Sequence, residues 1–190
     1  MMSEKISTKS KLTATQFAQL PESLSPIELI NGDVIEMPAP KQKHQYTVLN
    51  VAVFLRGYAQ THGGEVVIAP MDVYLNEDNV VQPDVFWTRP QNSLCQLGDD
   101  GWWHGAPDLV VEVLSPGTAR HDRVVKLRLY EQFGVYEYWM IDPQERLIEV
   151  WGLQGAKFIG LGIYEAGDVF VSPVLNNEKI SADILLGKIS

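Results

Sequence analysis

The sequence predicts an α/β domain: a mixed central β-sheet flanked by helices, with extra β-hairpins. Three observations carry this. Helical and strand periodicities follow one another in the order helix, hairpin, helix, three or four strands, helix, strands, with no internal repeat or low-complexity linker. The apolar run over 108–114 reads as a buried central strand, and a charged amphipathic helix over 119–133 follows it. Finally, 190 residues with 45% hydrophobic and 21% charged side chains suit one globular domain.

Residues 1–11 are polar and read as a flexible tail, which leaves 12–190 as the domain. Thr13 is a candidate N-cap for a short helix over 12–17, ended by Pro21. Strands over 27–30 and 34–37 flank Asn31-Gly32, a tight-hairpin dipeptide. Pro38 and Pro40 break that pattern. Val48, Val51, Ala52, Leu55 and Ala59 then recur at helical spacing, so a helix is expected over 44–61, stopping at Gly63-Gly64. Strand signals at 66–68 and 72–75 bracket Pro70, and one further strand is expected over 80–87. Residues 88–106, rich in Pro, Gly, Asn and Asp, read as an exposed loop that holds the incidental thiol Cys95. Ser115-Pro116-Gly117 stops the central strand, and Gly134 is a natural cap for the helix after it. Strands at 136–141 and 147–151 meet at Asp142-Pro143, and the remainder alternates short strands with Gly turns.

Charge and cysteine content narrow the function. Twenty-four acidic against fifteen basic residues give a net charge of -9, a poor footprint for a protein that coats nucleic acid non-specifically. A local basic groove, or a metal supplying positive charge, stays compatible with it. One cysteine excludes an intramolecular disulfide framework and any multi-Cys zinc site. The polar start lacks the apolar core of a secretory signal, and no run approaches a membrane span, so the expected location is cytoplasmic.

Chemistry is expected where carboxylates interrupt apolar strands. Alternation places Gln82, Asp84 and Phe86 on one face of their strand, and Asp108, Val110, Glu112 and Leu114 on one face of the next. Glu112 stands inside Val-Val-Glu-Val-Leu, where an unpartnered charge would cost several kcal/mol. It needs a metal, a cation or a proton, and a buried ion pair to Lys or Arg would answer as well as a metal. The following helix offers one: Asp122, Lys126 and Tyr130, spaced by four, share a stripe that can face back over the sheet.

Several segments together resemble one known family. Leu12–Phe17, IELINGDVIEMPAPKQKH, QPDVFW, APDLVVEVLSPGT and HDRVVKLRLYEQFGVYEYWMID are similar to the Uma-two family of restriction endonucleases, within the PD-(D/E)xK nuclease superfamily. The resemblance implies a restriction-endonuclease-like core and a metal-dependent phosphodiesterase. Pro83-Asp84 matches the PD element and Glu112 the acidic residue of the second element. Two residues on stands Leu114 rather than lysine, and Lys126 occupies the position to which the family would move it. His44, Glu36 and Asp108 match further polar positions. Asp108 lies about 13 Å from Glu112 on an ideal strand, so it reads as a strand-start residue rather than a co-ligand.

The residues themselves agree with that chemistry. Attack on an anionic phosphodiester needs charge neutralisation and a generated hydroxide, which two carboxylates holding Mg²⁺ or Mn²⁺ can provide. An adjacent ammonium stabilises developing charge. Asp84 and Glu112 are thus the expected metal ligands, with Lys126 as the catalytic cation and Asp122 auxiliary. Lys126→Met is expected to lower activity while the fold survives. The expected substrate is nucleic acid, DNA rather than RNA, and the apolar C-terminal hairpins with the Trp102-Trp103 loop suggest a homodimer. The alternative is a binding or regulatory module on the same fold with activity lost. A serine hydrolase built on Ser115, His121 and Asp122 fits poorly, because Leu-Ser-Pro-Gly lacks the first glycine of a nucleophile elbow and Pro116 follows at once.

Overall fold

The computed structural model describes residues 11–187 apart from 22, 24, 92 and 93. Residues 1–10 of the expected tail lie outside the described residues. Lys11 pairs with Asp33 at 3.0 Å. Helix α1 (Ala14–Phe17) starts on a full capping box: Thr13 accepts from the Gln16 N–H while the Gln16 side chain accepts from Thr13 N–H. The hairpin of β1 (Ile27–Ile30) and β2 (Asp33–Glu36) turns on Asn31 and Gly32, both at positive φ as its two-residue turn demands. Helix α2 (Gln42–His62) runs six turns and lays Val48, Val51, Leu55, Tyr58 and Ala59 inward.

Four short strands follow: β3 (Glu65–Ile68), β4 (Val73–Asn76), β5 (Asn79–Val81) and β6 (Val85–Thr88). The single strand expected over 80–87 is therefore two, in different sheets. Pro83 is the physical reason: it has no N–H for a ladder and restricts the residue before it. The expected exposed loop over 88–106 also differs. It contains β7 (Gln96–Leu97) and β8 (Trp103–His104), and buries Cys95, Trp103 and Ala106 in a core. Trp103 stands edge-on to Phe86, so only Trp102 of the tryptophan pair reaches solvent.

Strand β9 (Leu109–Val113) is buried at all five positions. The helix after it is continuous but irregular: α3 (Ala119–His121), a π-helical turn (Asp122–Lys126) and α4 (Leu127–Phe133), closed by Gly134 in the left-handed region. Then come β10 (Glu137–Asp142), β11 (Leu147–Gln154), the nine-residue β12 (Lys157–Glu165), β13 (Val169–Ser172), β14 (Glu178–Ser181) and α5 (Ala182–Leu186).

The main sheet runs β12-β11-β10-β9-β6-β3, mixed because β9 and β10 are parallel while the other pairs are antiparallel. A second sheet runs β2-β1-β5-β4-β8-β7. The alternation expected for β9 holds. Leu109, Val111 and Val113 join α2 and α5 in one core, while Val110 and Leu114 join Tyr130, Tyr138 and the second sheet in the other. Glu112 shares the second face, so it sits between the main sheet, the second sheet and the π turn. No helix among the described residues is long and apolar enough to cross a membrane.

Candidate functional site

The site is built outward from Glu112 on β9. Its Oε1 accepts from Lys126 Nζ and from the Tyr130 hydroxyl, each at 2.8 Å. Lys126, in the π turn, is 1% exposed and also lies 2.8 Å from Glu28 Oε1 and 3.9 Å from Asp122 Oδ1. π turns are rare and concentrate at functional sites. Here the turn holds Asp122 and Lys126 inside while Val124 faces solvent.

Asp84 reaches the same cleft from the start of β6. The β6–β9 ladder stops at Val85, and the Asp84 carboxylate continues it by accepting the Val113 N–H through Oδ2 at 2.7 Å. The same oxygen lies 3.1 Å from His44 Nε2, on the first turn of α2. Asp84, Glu112, Lys126, Asp122, Glu28 and His44 thus line one cleft of about 200 Å³. Asp84 precedes β6 and Glu112 lies on β9, so the two reach this cleft from neighbouring strands.

Electrostatics follow from that crowding. Burial pushes the Glu112 carboxyl well above the usual range, and the charges of Asp84, Asp122 and Glu28 add to it against the pull of Lys126. Burial likewise raises Asp122 to about 6, partly offset by Lys126. For Lys126, burial alone would lower the amine, but Glu112, Glu28 and Asp122 outweigh it and keep the group protonated. Glu28 Oε2 and Asp122 Oδ1 remain buried without a hydrogen bond among the described residues. Carboxylates therefore outnumber the cation.

That imbalance bears on metal binding. Asp84 Oδ1 and Glu112 Oε2 take no hydrogen bond from the described residues, because the partners of both carboxylates use the other oxygen. Hard oxygen donors of this kind suit Mg²⁺, which takes one or two carboxylates and fills its octahedron with water and substrate oxygens. No set of three or more His, Cys, Asp or Glu among the described residues forms a ready metal cage. The donors present fit a sparsely held hard ion of that kind.

Two expected residues stand elsewhere. Glu36 is exposed on β2, opposite Ile27, and does not line the cleft. Asp108 is buried at the start of β9, where it accepts from Arg89 N at 3.0 Å and pairs with Arg89 Nε at 2.6 Å. That suits a strand-start anchor. Ser115 bonds Thr118 at 3.0 Å rather than a histidine, so no serine triad assembles. Glu28 is the residue the sequence reading missed. Its Oε1 also accepts from Gln82 N at 2.8 Å, which ties β1 to the break before Asp84. The signal was present in Ile-Glu-Leu-Ile, a carboxylate inside an apolar strand like that of Glu112.

Asp122 yields a prediction about stability. A carboxyl raised on folding stabilises the fold fully below its ordinary 3.8, and that contribution is lost as pH rises through about 6. Asp122→Asn removes the charge and so should stabilise the protein at pH 7, by up to about 3 kcal/mol. Near pH 4 the gain should vanish. Urea unfolding at the two pH values measures this, and an equal gain at both would contradict it.

Known proteins are similar to this chain in two ways. The Uma2 family profile, described as "Putative restriction endonuclease", matches residues 14–182. A crystal structure of "a putative nuclease belonging to DUF820" from Anabaena variabilis ATCC 29413 superposes with a TM-score of 0.75 at 20% identity. The match covers 92% of this chain and 97% of that one, and it supports the nuclease-like fold. Among curated protein sequences, none matches this chain significantly.

Proposed function

Since this chain belongs to the Uma2 family of restriction-endonuclease-like proteins, we propose that it is a divalent-metal-dependent endonuclease that hydrolyses phosphodiester bonds in DNA, working as a cytoplasmic homodimer. The observation that carries the reading is the cleft itself: two carboxylates from separate strands, each with one oxygen uncommitted, beside a buried ammonium.

Asp84 and Glu112 would hold the ion, Mg²⁺ or Mn²⁺. When bound, it supplies positive charge to the phosphate and lowers the pKa of a coordinated water. The chain's own residues do the rest. Glu28 holds the Lys126 end of the Lys126–Glu112 pair and Tyr130 holds the Glu112 end. Lys126, protonated, counters negative charge gathering at the cleft as a phosphate approaches. His44 and the Val113 N–H fix the Asp84 carboxylate through Oδ2, leaving Oδ1 for the ion. Lys41 and Lys43, exposed beside His44, can meet the backbone phosphates that the acidic remainder would repel.

A second reading is favoured by one observation. Leu114 replaces the usual lysine, and Lys126 is fully engaged by Glu28 and Glu112. A module that binds nucleic acid without cutting it would tolerate this arrangement. The test incubates purified protein with plasmid, linear and single-stranded DNA and with RNA, each under Mg²⁺ and Mn²⁺, beside Glu112→Ala. Metal-dependent nicking or linearisation that disappears in the variant supports the nuclease. Retention of DNA with no cleavage under either ion supports the binding module.

A further inference from the structure

Helix α2 carries two apolar seams, and the described residues bury only one. Val48, Val51, Leu55 and Tyr58 pack inward. On the outer face Tyr46, Leu49 and Val53 are 59%, 57% and 64% exposed. Continued to Gln42, Arg56 and Gln60, that outer row repeats at alternating intervals of three and four, the spacing of a coiled-coil seam. A helix apolar on both sides is normally covered on both.

Gly57 lies beside this seam. It stands in the helix interior, where glycine is unfavourable, and among the described residues no atom beyond its own stretch of helix lies within 4 Å of the place its Cβ would take. None of the described residues needs the space. Val53, Arg56, Gly57 and Gln60 are related as i, i+3, i+4 and i+7, the four residues that frame a hole for a knob from a facing helix. Glycine deepens that hole.

We propose that this face is the two-fold interface of a homodimer, with two α2 helices crossing antiparallel so that Tyr46 of each fills the Val53–Arg56–Gly57–Gln60 hole of the other. Three features select a second copy in this orientation. The seam is self-complementary: Leu49 meets Val53, Gln42 meets Gln60, and Tyr46 meets Arg56, an aromatic face against a guanidinium. A parallel pairing would instead set Arg56 on Arg56. And α2 contains no acidic residue, so in a chain of net charge -9 the repulsion between copies is relieved along this face. The crossing point falls level with Val51. The two His44 residues, and with them the two clefts, then stand about 20 Å apart along the helices.

Sedimentation velocity of the full chain, without metal or nucleic acid, tests this independently of any nuclease activity. At about 50 µM the wild type should sediment at twice its monomer mass. Val53→Glu should weaken the dimer by about tenfold or more, since it buries an unpaired charge. Gly57→Leu should show opposite signs: a higher Tm from a better helix former in open space, and weaker association because the hole is filled. A wild type that stays monomeric overturns the proposal. So does a dimer whose mass neither substitution alters. If Val53→Glu leaves the mass unchanged but abolishes DNA retention on a filter, the face contacts nucleic acid and the dimer assignment is wrong.

Discussion

Lys126→Met should lower cleavage by roughly 10²–10³-fold, the usual cost of losing one charge-stabilising group. It should also destabilise the fold at pH 7 by about 3–5 kcal/mol. From sequence alone the lysine is a helix residue whose stem methionine can imitate, so the fold is expected to survive. The structure changes that expectation. The ammonium is the shared partner of Glu28, Glu112 and Asp122. Without it these buried carboxylates face one another uncompensated, and the pKa values of Glu112 and Asp122 rise further. The folded variant then binds more protons than the unfolded chain, so its stability should recover as pH falls. Urea unfolding at pH 5 and pH 7, with cleavage rates corrected for folded fraction, separates the two effects. A variant that is unstable yet cuts normally per folded molecule would make Lys126 a structural cation alone.

Glu112→Gln should behave in the opposite way. The amide has nearly the same shape, and its carbonyl can still accept from Lys126 and from the Tyr130 hydroxyl at the position of Oε1. Activity should fall by roughly 10³-fold, because a neutral amide neither holds a hard divalent ion nor balances its charge. Stability at pH 7 should be unchanged or higher, since burial already pushes the Glu112 carboxyl towards its neutral form and Lys126 keeps Glu28 and Asp122. Loss of activity with no loss of stability marks a residue kept for chemistry. Glu28→Gln should cost less, about tenfold, as expected of a residue that positions Lys126 without touching the reacting atoms. Equal losses for Glu28→Gln and Glu112→Gln would place Glu28 directly on the ion or the phosphate.

Much of this was legible because the signals are local. Asn31-Gly32 specifies its hairpin, the spacing of Val48, Val51 and Leu55 specifies α2, and the uninterrupted run around Glu112 specifies a central strand. From those alone came the α/β class, the two faces of β9, and a carboxylate that must have a partner. The cation was also legible, since Asp122 and Lys126 follow on the next helix at a spacing that can face the sheet.

Other features depend on which segments meet across the fold, and no local pattern encodes that. Pro83 splits one apparent strand between two sheets, and the break leaves Asp84 to extend the ladder with its side chain. The segment before β9 looked solvent-exposed by composition, yet Trp103 and Cys95 pack beneath it against Phe86 and Val110. Glu36 and Glu28 stand on paired strands but on opposite faces of the hairpin, and the position of β1 beside the π turn then brings Glu28 to Lys126 and leaves Glu36 outside. Residue type announces that a buried charge must be answered. Which charge answers it is decided by long-range packing, because in a low-dielectric interior a few ångströms separate a partner from a bystander.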